Sequence, residues 1–298
     1  MPVLLIFIDG LGIGRRDAGI NPLADSAGDL APLAFFQNEN EPVYRDGILI
    51  PTDPRLGVEG RPQSASGQTT ILTGFNAPHF LGYHKQGFPN AAMREIIAER
   101  SIFLQLENLG IEPNAFANAY TPQFFEEEPR WKSATTCAVE ASTVRFKTLD
   151  DLKRGEAVFH DFTNRVLQER GFDFPLETPE NAARNLVRLA RKNRFTLYEH
   201  FLTDKIGHAQ DFGAARTLLP ELAKFVRTVL NEIDLSETAV LLTSDHGNIE
   251  DLSIKNHTLN DVPTIAWGRE KEFCAARIRS LANITPTIVE ILKNERNS

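Results

Sequence analysis

Two stretches, Pro2–Ile8 and Ala239–Leu242, are apolar without interruption. Runs of that length suit strands buried on both faces of a parallel sheet. Phe195–Leu202 and Val262–Trp267 are less pure but rich in aromatic and β-branched residues, and they predict two more strands. Helical spacing fills the intervals. Pro179–Lys192 has Glu180 near its start, Leu186, Val187, Leu189 and Ala190 inside, and Arg188, Arg191 and Lys192 near its end. That charge order complements a helix dipole. Leu218–Leu230 and Thr285–Leu292, the latter opened by Pro286, predict two further helices. Phe88–Arg100, with Met93, Ile96 and Ile97, predicts another, and Leu104, Leu106 and Leu109 continue into the next. Strands alternating with helices of this length predict a doubly wound, mostly parallel α/β sheet. Pro22–Gly60 predicts loop with a small hairpin around Gly47–Pro51, Glu126–Arg130 a solvated turn, and Ala157–Phe162 a short strand or a helix start. Residues 76–189 break the rhythm. They predict a smaller α+β cap inserted into a core made of 1–75 and 190–298, with part of 95–125 assignable to the core.

The polar residues beside each strand carry the candidate chemistry. Asp9 closes the first run, Asp204 and His208 come after the second, Asp245 and His246 after the third, and His257 precedes the fourth. Strand tips at the carboxyl edge of a parallel sheet are where ligands sit. Asp204 and His208 are four apart and share a helical face. Ser64 opens a predicted helix that runs through Thr73 to Gly74, and the positive potential of a helix start favours an alkoxide and an incoming phosphate. Each residue alone has an ordinary role as a cap or turn residue. Together, three carboxylates and three imidazoles are enough to hold two divalent cations. Two such ions carry +4, which Asp9, Asp204 and Asp245 (−3) and an ionised Ser64 (−1) would balance. Arg61, Lys205 and Lys85 are the candidate phosphate-binding cations. Gly10-Leu11-Gly12-Ile13-Gly14 lacks dinucleotide-fingerprint spacing, which leaves a nucleotide-binding oxidoreductase as the competing class. His160-Asp161 reads as local polar packing.

Composition trims the alternatives. With 298 residues, 42% hydrophobic and 24% charged, the chain suits a soluble globular protein. A net charge of −8 argues against a nucleic-acid partner. The first apolar run is too short to span a bilayer, so no membrane partner is expected, and the two cysteines lack the spacing of a zinc or disulfide framework. The expectation is a cytoplasmic protein.

Phe7-Ile8-Asp9-Gly10, Ser64-x-x-Gly67-Gln68 through Thr73-Gly74, Asp204-x-x-Gly207-His208, Asp245-His246-Gly247-Asn248, and His257-Thr258 before Val262-Pro263 resemble the alkaline phosphatase superfamily. They are most similar to its metalloenzyme branch of cofactor-independent phosphoglycerate mutases and phosphopentomutases. The resemblance implies an alkaline-phosphatase-like fold. It puts Asp204, His208 and His257 on one ion and Asp9, Ser64, Asp245 and His246 on the other, with Ser64 becoming phosphorylated. Manganese or zinc fits the nitrogen-rich set better than magnesium alone. The implied reaction is phosphoryl transfer, as a phosphatase or a phosphomutase, on a small phosphorylated metabolite. The alternatives are a phosphodiesterase or phosphonate hydrolase of the same superfamily, or a non-catalytic metal-binding scaffold. The chain departs from the mutases in its short cap and in Gln68, which stands where they carry histidine, and from phosphopentomutases in carrying serine rather than threonine at 64.

Overall fold

The computed structural model describes residues 1–24, 30–39, 42–127 and 131–294. Its strands are β1 (Val3–Ile8), β2 (Ile48–Thr52), β3 (Asn114–Phe116), β4 (Ala119–Tyr120), β5 (Lys147–Thr148), β6 (Phe195–His200), β7 (Ala239–Thr243) and β8 (Val262–Trp267). Six form one sheet in the order β2-β8-β7-β1-β6-β3, and β4 pairs with β5 apart from it. β1 lies between β6 and β7, parallel to both, and β3 is parallel to β6. β8 runs antiparallel to β7 and to β2, so it alone is reversed.

The first strand is apolar throughout because it has no solvent face. Leu4, Ile6 and Ile8 enter one hydrophobic cluster, while Val3, Leu5 and Phe7 enter the other. Helices α1 (Ser64–Thr73), α2 (Ala77–Leu81), α3 (Ala91–Arg100), α4 (Ile102–Asn108), α5 (Pro122–Glu127), α6 (Ala134–Glu140), α7 (Leu149–Lys153) and α8 (Arg165–Glu169) come from the first two thirds of the chain. They are followed by α9 (Pro179–Lys192), α10 (Leu202–Ala209), α11 (Phe212–Glu232), α12 (Lys271–Arg277) and α13 (Ile284–Asn294). α9 and α11 pack together over the face holding Leu4 and Ile6. α1, α3, α4, α6 and α13 cover the other.

Three expectations change. Residues 48–52, expected in a loop with a small hairpin, form an edge strand of the main sheet, a position that tolerates Pro51. The hairpin reduces to one bridge between Val43 and Gly47. Ala157–Phe162 is neither strand nor helix, because Val158 makes only an isolated bridge to Asn118. In the Glu126–Arg130 stretch, Glu126 and Glu127 are exposed at the end of α5, and residues 128–130 lie outside the described residues. Within 76–189, Ile97, Phe103, Leu106, Phe116 and Val139 share the cluster of β1, whereas Ala119, Leu152, Phe159, Leu167 and Phe174 form a small cluster of their own.

Candidate metal centre

β1 delivers Asp9 to the sheet edge. Its amide donates to the His200 carbonyl at 2.8 Å, and the Thr203 hydroxyl donates to its carbonyl. Gly10 then turns the chain at φ +75°, and a Cβ there would stand 2.8 Å from Asp204 Cα, so glycine is required on both counts. Asp245 and His246 follow β7, both fully buried. Asp204 and His208 occupy successive turns of α10, and His257 lies in the loop before β8.

These residues meet in two groups. Asp204, His208 and His257 can place one donor atom each within 4.8 Å of one another, and so can Asp9, Asp204 and His246. His257 Nε2 lies 3.0 Å from His208 Nε2 and 3.4 Å from Asp204 Oδ1. In the other group, His246 Nε2 lies 3.3 Å from Asp9 Oδ1. Asp204 takes part in both groups, and Asp245, expected as a ligand here, borders the second with its Oδ2 3.5 Å from the same nitrogen. The His246 and His257 rings stack at 3.6 Å and join the groups. Ser64 is the first residue of α1, with Gln63 rather than either nearby serine at the N-cap, and its Oγ lies 2.9 Å from His246 Nε2.

The donor set suits a cation. His208 Nδ1 faces the Lys255 carbonyl at 2.9 Å and His257 Nδ1 the Pro62 carbonyl at 2.8 Å, which assigns the N–H to Nδ1 and turns both Nε2 atoms inward. Two imidazole lone pairs and a carboxylate then converge, and something positive must sit between them. Burial would lower His257, but its hydrogen bonds to Asp204 and the Pro62 carbonyl raise it, so the cluster draws in a proton. Burial pushes Asp204 up, yet its bond with His257 and the charges of the nearby imidazoles hold it below the usual carboxylate range.

In the other group burial dominates. It raises Asp9 well above its ordinary value, with the Asp245 charge adding to it. It lifts Asp245 to about 7, aided by Asp204, and drives His246 down to about 3. Asp9 Oδ1 is buried with no hydrogen-bond partner among the described residues. Crowded, desolvated carboxylates of this kind are stabilised when a divalent ion replaces their protons.

Three residues not anticipated as site residues hold the arrangement. Gln68, one turn after Ser64, donates through Nε2 to Asp9 Oδ2 and Asp245 Oδ2, each at 3.1 Å. Asn248 donates to Asp204 Oδ1 at 2.7 Å. Fully buried Glu250 accepts from Gly12 N (3.0 Å), Asn248 N (2.7 Å), Thr258 Oγ1 (2.5 Å) and Asn260 Nδ2 (3.0 Å). It therefore ties together the loops behind Asp9, His246 and His257. Gln68 and Asn248 stand within the sequence motifs without a role assigned to them, whereas Glu250 lies outside those motifs.

The candidate phosphate-binding cations differ in placement. Arg61 donates to the His257 carbonyl and stands beside the cluster. Lys85 has its backbone against the first turn of α1, at Ser66, but its Nζ donates to the Gln86 carbonyl. Lys205 is exposed on α10 next to Asp204. His160 and Asp161 stand apart from both groups: His160 stacks on Phe201, and Asp161 caps the turn at Asn164 and Val166.

The sequence profile of the Metalloenzyme superfamily matches residues 133–296, more than half of the chain. The chain belongs to the metalloenzyme superfamily. The 2,3-bisphosphoglycerate-independent phosphoglycerate mutase of Ehrlichia canis is 33% identical to this metalloenzyme over 96 residues, covering 30% of the chain and 19% of that enzyme. The enzyme of that name from Mycoplasma genitalium is 31% identical over 104 residues, covering 33% and 20%. The chain thus matches about a fifth of the length of these relatives. A cold-active alkaline phosphatase from a psychrophilic Shewanella species superposes with a TM-score of 0.56 over 98% of this chain and 100% of that one, at 11% identity. A Pyrococcus horikoshii protein does so with a TM-score of 0.58, covering 98% and 97%, at 13% identity. The fold of this metalloenzyme is alkaline-phosphatase-like, a six-stranded, mostly parallel sheet between helices. No helix among the described residues is long and apolar enough to cross a membrane.

Proposed function

We propose that this metalloenzyme transfers phosphoryl groups from a small phosphorylated metabolite through Ser64. The observation that carries the reading is Ser64 Oγ at 2.9 Å from His246 Nε2, a nitrogen that itself lies 3.3 Å from Asp9. The nucleophile thus borders the group of buried donors. Asp204, His208 and His257 would hold one divalent ion, and Asp9, Asp245 and His246 the other with Ser64. When bound, the ions supply the positive charge that favours an ionised hydroxyl and a phosphate dianion.

The protein's own groups do the rest. His246, held near 3 by burial, stays neutral at physiological pH and presents a lone pair rather than a competing positive charge. Gln68 fixes Asp9 and Asp245 in one orientation, so the site needs little rearrangement when substrate arrives. The Ser64 hydroxyl gives up its proton to water, its Oγ attacks phosphorus in line, the ester P–O bond breaks, and the departing alkoxide takes a proton from water. Arg61 offers charge to the phosphate from the edge of the site. Water then releases phosphate from the phosphoserine, or a second hydroxyl of the same molecule takes the phosphoryl group. Whether residues 76–189, expected as a cap, exclude water from the site would decide between them.

The test is brief incubation of the Mn- or Zn-loaded protein with a 32P-labelled phosphomonoester panel, followed by peptide mapping. Label on the Ser64 peptide is expected. Label that persists in Ser64→Ala overturns the assignment.

A further inference from the structure

Beside the metal centre, at the carboxyl ends of β3 and β6, lies a cavity of about 540 Å³ that phosphate chemistry alone does not explain. That size suits a small organic ligand. Phe116, Tyr120, Phe124, Trp131, Phe159 and Phe201 give it six aromatic walls. Tyr120 and Phe124 pack with centroids 4.3 Å apart, and Phe88 backs Trp131 at 6.2 Å in a stacked arrangement. Polar residues line it too, among them Lys132, Ser133, Thr136 and Arg170, and two of the polar lining residues, Glu199 and His160, are buried. Glu199 is buried, and burial first, then the Asp245 charge, carries it to about 7 against a bond from Thr135. His160 is 8% exposed, lies against Phe201 at 4.2 Å, and neither ring nitrogen has a hydrogen-bond partner among the described residues. Buried polar atoms left this way mark a place for a ligand's own polar groups.

The cavity adjoins the reacting end. Glu199 is in register with Phe7, two residues before Asp9 on the neighbouring strand, and strands lie about 5 Å apart. Phe201 heads α10, three residues before Asp204.

We propose that this cavity holds the alcohol portion of the phosphate ester and selects a planar heteroaromatic group bearing N–H donors, as in a nucleoside monophosphate. The proposal rests on the phosphoryl-transfer reading for its substrate, but the cavity can be tested without turnover. Flat rings stack on aromatic walls whatever their sequence of atoms, while Glu199 accepts their N–H groups and His160 offers one donor and one acceptor.

The protein carries its own reporter. Of its two tryptophans, Trp267 is fully buried under the sheet, whereas Trp131 is 57% exposed and lines the cavity. Adenosine, which has no phosphate, added to metal-loaded Ser64→Ala protein should quench Trp131 fluorescence saturably, and Trp131→Phe should abolish the signal. In the metal-loaded wild type, kcat/KM for adenosine monophosphate should exceed that for glycerol 3-phosphate by at least about tenfold. Phe124→Ala, on the half-buried cavity wall, should erode that ratio through KM. No quenching together with equal rates on the two esters overturns the cavity proposal and leaves phosphoryl transfer standing. Saturable quenching with no phosphoserine on any ester supports the cavity and defeats the phosphoryl reading instead.

Discussion

The two halves of the metal centre are built on opposite principles. The Asp204, His208 and His257 half is the more open: the side chains of His208 and Asp204 are 43% and 17% exposed against 4% for His257, and Asp204 and His257 lie 3.4 Å apart. The Asp9, Asp245 and His246 half is dry, with His246 and Asp245 side chains fully buried and carboxylates crowded against their preference. If each half takes an ion, the second gains more from it, because its carboxylates otherwise hold protons against their ordinary values. Ser64 borders the dry half, where electrostatic effects are least diluted by solvent.

The strongest challenge to this contrast is through turnover. Ser64→Ala should lower phosphoryl transfer by at least about 10³-fold. It should leave the ion of the open half in place, as measured by metal analysis beside steady-state rates. His208→Ala should cost roughly 10²-fold in kcat/KM and take the metal content from two ions per chain towards one. If it instead stripped both ions, the halves would not be separable in this way. Glu250→Gln leaves every proposed ligand in place, yet it should weaken metal binding by roughly 10–100-fold in a chelator titration.

The mildest challenge is to stability against pH. Asp245 is raised to about 7 in the folded, metal-stripped protein, so it holds a proton that the unfolded state releases from about pH 4 to about pH 7, and Asp9, also raised, acts in the same direction. The contribution of Asp245 is complete below that window and is lost as pH rises through it, on the order of 4 kcal/mol. Asp204, being depressed, acts oppositely, and its contribution is lost only as pH falls below about 4. His246, His160 and His200, depressed by burial, add stability as pH rises towards 6.5, so the Asp245 effect is read as a difference. In melts of the stripped protein, Asp245→Asn should gain on the wild type from pH 5 to pH 8. With Mn or Zn bound the trend should reverse, because the ion competes with protons.

Much of this architecture was legible because the central strands have no solvent face. β1 and β7 appear as unbroken apolar runs, and the polar residue ending each run stands at the sheet's edge. The edge strands left little trace. β2 is half-buried and carries Pro51, and β3 is three residues long within a segment that otherwise departs from the strand–helix rhythm. The convergence of Asp9, Ser64, Asp204, Asp245, His246 and His257 could be anticipated because each lies at or near a strand tip or opens a helix. Glu250 could not, since nothing in Asn248-Ile249-Glu250-Asp251 signals that three loops will close around one carboxylate. Its role exists only once those loops meet.

The position of β1 between β6 and β7 bears on how the protein acquires its ions. Asp9 is synthesised early and His257 late, and neither half of the centre has its donors until the strands between have been laid down beside β1. No nascent fragment carries a competent coordination sphere, so the ion cannot template folding as it does in a zinc finger. Any ion would therefore enter after β6 and β7 have paired with β1, at a donor set already arranged to favour one kind of cation over another.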